Sequence, residues 1–447
     1  MNEELVGTGA DTAAEEGQPR VEGQEVTGIR AGGIVFAGIV AANIGNYLFH
    51  LISARVLGPS LYGDVASLAA LTGLITLPLV GVQLAVARYV AGFNELGDYA
   101  AIHVLYRRGL LLGLVGGVCL TVLMSALAVP LQRVLEISSL SAVVITTLVA
   151  LPTILVPIVS GLAQGLQRFW IFAFSIGAGP MSRALLAAVF LATGLGVSGA
   201  MAASTLSTVL AVLVPFVVLR QWLHKEPRAS LAVSSSEILA YLVPVLVGVL
   251  AITSLSTIDV LFAKGLFTSH TAGVYGGASL VGRVILYFAF AIVFVLLPKV
   301  SARAAADRDS LDLLGRSVLV TVAFCLAGIA LYAAVPKLLL DIAFGSSYEG
   351  AAPYLWLFAV AMSGYAVLNV LLAYHLGRGD GRFSWILLGG AVVQIGLFAA
   401  FHETPRQLLV ADIVIAGALL AAHELFVDPT FRRLLRAAVR YFRATIA

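Results

Sequence analysis

Two arginines lie deep inside long apolar segments of the chain, where ionisable side chains are rare. Arg183 and Arg283 each fall near the middle of a stretch of about 20 mostly apolar residues. An ionisable group at that depth costs ~2.5–3.5 kcal/mol and is retained where it meets water or a partner. Guanidinium groups stay charged and bind phosphate oxygens with two hydrogen bonds. The pair therefore predicts a site for an anionic head group; alternatively, each arginine neutralises a carboxylate or binds a free backbone carbonyl.

Polar side chains also recur at helical spacing within two of these segments. Because residues three or four positions apart share one face of a helix, each set predicts a polar stripe. Such a stripe either lines a hydrated cavity that receives substrate hydroxyls or forms hydrogen bonds between helices. For His50, both packing and proton transfer stay open. The first stripe is Asn43, Asn46, His50 and Ser53, and the second is Tyr275, Ser279, Arg283 and Tyr287.

Three basic residues stand at the ends of apolar segments: Arg55, Lys264 and Arg88. They predict an electrostatic track that guides an anionic head group across the membrane. The alternative is that their side chains extend to lipid phosphates at the membrane surface.

Two acidic residues and four amides complete the polar set. Asp259 is expected to pair with Lys264 or Arg283, and coupling to a cation or proton is the alternative. Asp64 is expected to cap a helix or to stand in its first turn. The amides either bind sugars or connect helices: Gln83, Gln164, Asn369 and Gln394.

The composition shows what must position these groups. Of the 447 residues, 60% are hydrophobic and 11% are charged, and the mean hydropathy is +0.99. Too few charges are available to cover a soluble surface, so the chain is predicted to be an all-α polytopic membrane protein. Two cysteines exclude a disulfide framework, and a net charge of +3 excludes a global field for nucleic acid.

Apolar runs of about 20 residues predict twelve membrane spans. They are placed at 31–54, 65–88, 109–130, 140–162, 170–194, 198–220, 239–261, 272–298, 317–340, 352–375, 383–401 and 407–425. Residues 1–30 are predicted to form a disordered acidic tail.

Basic residues predict the orientation. With both termini in the cytoplasm, 19 of the 27 Lys and Arg residues fall on the cytoplasmic side and 5 on the other. The expected location is the bacterial plasma membrane. Within the tail 427–447, residues 431–442 form a basic amphipathic pattern, which predicts a helix lying on anionic inner-leaflet lipids.

Short motifs repeat about half a chain apart. Tyr62-Gly63 after Arg55 corresponds to Tyr275-Gly276 after Lys264. Arg88 corresponds to Arg303, and Arg168 to Arg378, so the offsets lie between 209 and 215 residues. The matches predict two six-helix halves, residues 31–225 and 226–426. Since six is even, the halves share one orientation and form a parallel repeat around a central cavity.

Three segments of the chain form recognisable motifs: RVLGPSLYG at Arg55–Gly63, GLAQGLQRF at Gly161–Phe169, and Asp259 followed by AGVY at Ala272–Tyr275. Together they resemble the polysaccharide-biosynthesis flippases of the multidrug/oligosaccharidyl-lipid/polysaccharide exporter superfamily. The resemblance covers roughly residues 31–425. It implies two six-helix bundles, alternating access and export of a polyprenyl-diphosphate-linked oligosaccharide for cell-surface polysaccharide synthesis, without a cofactor or resident metal.

The expected function is therefore a flippase that carries this lipid-linked oligosaccharide from the cytoplasmic to the outer leaflet, next to a polysaccharide assembly machinery. The alternative is a cation-coupled multidrug exporter of the same superfamily, although arginines in the spans would repel cationic drugs. A membrane enzyme is not expected, because the histidines of this chain are scattered along the sequence and no loop is long enough to hold an acid–base site.

Overall fold

The computed structural model describes residues 22–76, 78–220, 235–305, 308–430 and 432–433. In this part of the chain every long element is a helix. The elements are α1 (Glu22–Thr76), α2 (Val80–Glu95), α3 (Tyr99–Ala126), α4 (Ala128–Val134), α5 (Leu140–Leu148), α6 (Ala150–Gly165), α7 (Phe169–Ala192), α8 (Gly196–Leu219), α9 (Ser235–Leu255), α10 (Ile258–Leu266), α11 (Ser269–Ala305), α12 (Leu311–Ala334), α13 (Pro336–Phe344), a 3₁₀ helix (Ser346–Tyr354), α14 (Leu355–Gly377), α15 (Arg382–Ala400), α16 (Pro405–Ala422) and a π-helical turn (His423–Val427).

Eleven helical stretches of the described residues are long and apolar enough to cross a membrane, which confirms a multi-pass, all-α membrane protein. The first stretch, Ala37–Glu95, has 59 residues and would extend ~90 Å if it were straight. It bends at Gly58, where φ is +69° and ψ is 172°, and Pro59 then lacks the amide that would continue the helix. Because ~30 Å suffices to cross the hydrocarbon, this stretch supplies two crossings and accounts for the twelve predicted spans.

Two predicted boundaries differ from the structure. α1 begins at Glu22, whereas the sequence predicts a disordered tail through residue 30. Once a helix has formed, each added residue gains a hydrogen bond at low cost, so the helix extends beyond its apolar part. The span predicted at 239–261 is interrupted between α9 and α10. Apart from Arg432 and Arg433, the predicted amphipathic helix 431–442 lies outside the described residues.

The order of helices repeats along the chain. A long helix and a short one, α3 and α4, recur as α12 and α13, and α7 and α8 recur as α15 and α16. Local signals fix several ends: Asp98 accepts from the amide of Ala101 at 2.9 Å, and Thr404 forms a capping box with Gln407. The assignment of residues 31–225 and 226–426 to two halves stays a prediction, and "first half" and "second half" denote these ranges below.

Both sets of helices meet near the bend of α1. A Cβ on Gly273 of α11 would lie 1.6 Å from the carbonyl oxygen of Pro59. A Cβ on Gly276 would lie 2.9 Å from the Cβ of Ala66. We call this region the kink end; it comprises residues 54–66, 259–276 and 340–354. Glycines on α11 let the backbones of the two halves approach within van der Waals contact there.

Candidate functional site

In the first half, α1 and α7 cross at very short distance. A Cβ on Gly45 would lie 2.5 Å from the backbone of Pro180, so only glycine fits this crossing. The crossing places Arg183 of α7 against α1: its Nη2 donates to Asn46 Oδ1 at 2.6 Å, and its guanidinium carbon lies 4.1 Å from the ring centroid of Phe49.

Arg183 lacks an acidic partner within the part of the chain that the structure describes, since no carboxylate oxygen there lies within 4.0 Å of its guanidinium group. Its Nε is buried and has no hydrogen-bond acceptor among these residues. A charged fork with an unused donor is suited to bind an anion, because charged hydrogen bonds are about twice as strong as neutral ones.

The polar stripe of α1 continues from this arginine. Asn43 is exposed, and His50 Nδ1 lies 3.1 Å from the hydroxyl of Tyr62, a residue that the sequence reading did not include in the site. Ser53 is fully buried, and its hydroxyl has no partner among the described residues. The stripe therefore runs from an exposed end at Asn43 to a buried end at Ser53.

In the second half, Arg283 of α11 is held at a break between two helices. α9 ends at Leu255 and α10 begins at Ile258, which leaves the carbonyl of Ser256 free to accept from Arg283 Nε at 2.9 Å. Asp259 lies in the first turn of α10, and its Oδ1 is 3.2 Å from Arg283 Nη2. Tyr275 donates to Asp259 Oδ2 at 2.9 Å. Arg283 thus has both partners that the alternative interpretation named, a carboxylate and a free carbonyl.

The two arginines lie on helices that both pack against α1. Arg183 is on α7 and contacts Phe49, whose ring centroid lies 5.1 Å from that of His50, and Arg283 is on α11. The site therefore contains two guanidinium groups, one from each half; Arg283 is paired with Asp259, whereas Arg183 has no carboxylate within 4.0 Å among the described residues. The unpaired guanidinium suits an anionic ligand and disfavours a cation.

A second buried network was missed by the sequence reading. Asp412 of α16 is fully buried; Tyr365 donates to its Oδ1 at 2.9 Å, and Gln394 Nε2 donates to the same oxygen at 2.6 Å. Gln394 also donates to the carbonyl of Leu255 at 2.8 Å. This amide therefore connects helices, as does Gln83, which donates to Gln164 at 3.1 Å. The sequence does indicate Asp412, because it is an ionisable residue inside the apolar run 407–425, and Asp259 was chosen as a candidate for the same reason.

The three basic residues of the predicted electrostatic track do not line one open path. Lys264 is 1% exposed and forms an ion pair with Asp64 at 2.7 Å. Asp64 lies in the interior of α1 and is neither its cap nor its first residue, which corrects that expectation. Arg55 donates to the carbonyl of Ile342 at 2.9 Å. Arg88 is exposed on α2, beyond the break that follows Thr76.

Tyr275 and Ser279 are fully buried in the second half, so in this conformation neither side chain can reach a substrate. Along the second stripe, exposure increases from these two residues to Arg283 and then to Tyr287, which is 48% exposed. The part of this stripe that can face a ligand is therefore its Arg283–Tyr287 end.

A large part of the chain matches a known protein family. Residues 30–303, more than half of the chain, match the family described as polysaccharide biosynthesis protein. No curated protein matches the chain at a significant level.

Solved structures share the fold. An inward-facing multidrug resistance MATE family transporter of the MOP superfamily aligns with a TM-score of 0.71 at 15% identity, covering 90% of this chain and 98% of that one. An outward-facing transporter of the same description aligns with a TM-score of 0.61 at 18% identity, covering 91% and 95%. A MOP superfamily transporter from Pyrococcus furiosus, described as having a binding pocket of reverse polarity, aligns with a TM-score of 0.58 at 17% identity, covering 91% and 95%.

Proposed function

The chain belongs to the polysaccharide biosynthesis protein family, and from this membership and the site we propose that it is a flippase. Its substrate is a polyprenyl-diphosphate-linked oligosaccharide, which it moves from the cytoplasmic to the outer leaflet of the bacterial plasma membrane by alternating access. The fold shared with transporters of the MOP superfamily supports the transport mechanism.

The observation that carries this proposal is the uncompensated charge of Arg183. A half-buried guanidinium without a carboxylate is costly unless an anion pairs with it for part of the cycle. A diphosphate offers several oxygens in the geometry that guanidinium forks bind. Arg283 approaches from the other half and would contribute a second fork to the same head group.

The polar stripe of α1 suits the glycan. Asn43 and Asn46 present amide groups next to Arg183, and hydroxyl-rich sugars form hydrogen bonds with such groups. The polyprenyl tail would stay in the bilayer, because an apolar chain gains nothing by entering a hydrated site.

Two independent features support the orientation. The distribution of Lys and Arg favours an outer location for the kink end. The conformation is more similar to the inward-facing transporter than to the outward-facing one, and an inward-facing protein is closed at its outer end. In this structure the halves are in close contact at the kink end. Both termini are therefore assigned to the cytoplasm.

A multidrug exporter is the second candidate, because the multidrug resistance MATE family transporters share the fold. The guanidinium of Arg183 argues against it, because it repels cationic drugs, which bind to carboxylates and aromatic rings. The Pyrococcus furiosus transporter, whose binding pocket of reverse polarity is described as suggesting a different function, supports the idea that this one fold serves different functions.

The test uses proteoliposomes that contain a fluorescent polyprenyl-diphosphate oligosaccharide. Access of a membrane-impermeant quencher is followed with and without protein, and efflux of a cationic dye is measured in the same preparation. Protein-dependent translocation of the oligosaccharide without dye efflux supports the flippase. Proton-driven dye efflux without translocation would assign the chain to the drug exporters.

A further inference from the structure

The ion pair between Asp64 and Lys264 joins the two halves across about 200 residues of sequence. Lys264 Nζ lies 2.7 Å from Asp64 Oδ1, and the two side chains are 1% and 2% exposed. Asp64 belongs to α1 in the first half, and Lys264 belongs to α10 in the second. Both charges are therefore withdrawn from water only while the halves touch at the kink end.

The other oxygen of Asp64 is held by the first half. The backbone amide of Ser138 donates to Asp64 Oδ2 at 2.9 Å, and the Ser138 hydroxyl donates at 2.5 Å. Both donors to this oxygen belong to the first half, so they hold the Asp64 carboxylate without a contribution from Lys264. The carboxylate is positioned to receive the ammonium group whenever the halves close.

Further contacts between the halves surround this pair. Arg55 donates to the carbonyl of Ile342, and Tyr348 donates to the carbonyl of Ala54 at 3.2 Å. The Tyr62 ring centroid lies 5.9 Å from that of Phe344. By contrast, the Arg283–Asp259 pair lies within one half and stays formed when the halves move as rigid units.

We propose that Asp64 and Lys264 form a latch that holds the kink end closed and separates when this end opens. The free energy of an unpaired charge differs between the closed and the open state. In the closed state, loss of one partner leaves the other charge buried and unpaired, which is strongly destabilising. In the open state both groups are hydrated, so the same substitution costs little there and shifts the equilibrium toward the open state.

The latch is independent of the cargo, so it can be tested without a substrate. The reporter is Ala66→Cys in protein that also carries Cys119→Ala and Cys325→Ala. Ala66 is 8% exposed, and its Cβ lies 2.9 Å from the position of a Cβ on Gly276. The measurement is the rate at which a membrane-impermeant maleimide labels this cysteine in proteoliposomes.

In the Asp64→Asn and the Lys264→Met variants, the reporter cysteine is expected to be labelled on the order of 100-fold faster than in the parent. The reason is that each substitution leaves one unpaired buried charge in the closed state. The double variant Asp64→Asn/Lys264→Met buries no unpaired charge and should return to within ~10-fold of the parent. Asp312→Asn is the control, because it breaks an exposed pair with Arg303 inside the second half and should leave the rate unchanged.

Labelling of both single variants at the parent rate would overturn the latch, and so would equal acceleration in the single and double variants. If the single variants do not fold, the labelling rate is measured in Ser138→Ala instead. This substitution removes one hydrogen bond to Asp64 and leaves both charges in place. Acceleration of up to ~10-fold supports the latch, and an unchanged rate contradicts it. Failure of this test leaves the flippase proposal standing, since no lipid-linked oligosaccharide is present.

Discussion

Arg283 and Asp259 form an ion pair of 3.2 Å at the break between α9 and α10, with the carboxylate 1% exposed. Arg183, in the other half, has an amide and an aromatic ring as partners and no carboxylate within 4.0 Å among the described residues. The two arginines therefore differ in role. Arg283 supports the structure of the second half as well as the site, whereas Arg183 is available for a ligand.

This difference predicts that the two arginines contribute unequally to stability. Arg283→Ala leaves Asp259 buried without a cation and is expected to lower the free energy of unfolding by about 3–5 kcal/mol. Arg183→Ala removes an uncompensated charge and is expected to change it by less than about 1 kcal/mol. The measurement is denaturant-induced unfolding in mixed micelles.

The double variant Asp259→Asn/Arg283→Ala is the control for this pair. Because it removes both charges, it should recover at least half of the loss seen with Arg283→Ala alone. Equal destabilisation by Arg183→Ala and Arg283→Ala would contradict the assignment of different roles.

A steric prediction concerns the kink end. A Cβ on Gly273 would lie 1.6 Å from the carbonyl oxygen of Pro59, so Gly273→Ala prevents the closed contact between the halves. We expect faster maleimide labelling of Ala66→Cys in this variant. Gly116→Ala is the matched control, since a Cβ there meets nothing within 4 Å. Protection of Ala66→Cys in both variants would show that the halves do not separate along this surface.

The Gln394 network predicts a packing role. Gln394→Leu leaves Asp412 with one donor, from Tyr365, and leaves the carbonyl of Leu255 without its donor. The expected cost is about 1–3 kcal/mol per buried group that loses its partner. Gln83→Leu, which breaks one bond to Gln164, should cost about 1 kcal/mol. If the two variants proved equally stable, Gln394 would not organise this region.

The membrane spans were predictable because hydropathy depends on local composition. Runs of about 20 apolar residues located the crossings, and Gly58-Pro59 between the first two marks the bend in α1. The break at Ser256 and Thr257 carries no glycine or proline. It is stabilised by Arg283, which lies on another helix, so no local signal could predict it.

The site was predictable in its residue types and not in its pairings. Arg183, Arg283 and the α1 stripe follow from polarity within apolar runs. The pairing of Asp64 with Lys264 joins residues that are distant in sequence, and several acids were equally plausible partners. Tyr275 and Ser279 share a helix face with Arg283, but both are fully buried, and the Tyr275 ring packs against Phe358 of α14 with 4.9 Å between the ring centroids.

The most direct test of the account is the dependence of transport on head-group charge. Translocation in proteoliposomes is compared for the same oligosaccharide on a diphosphate-linked and on an uncharged lipid anchor, with wild-type protein, Arg183→Ala and the exposed control Arg108→Ala. The account predicts that wild type and Arg108→Ala move the diphosphate-linked form roughly 10- to 100-fold faster than the uncharged form, and that Arg183→Ala loses most of this preference. Full preference in Arg183→Ala would contradict the assignment of Arg183 to the diphosphate.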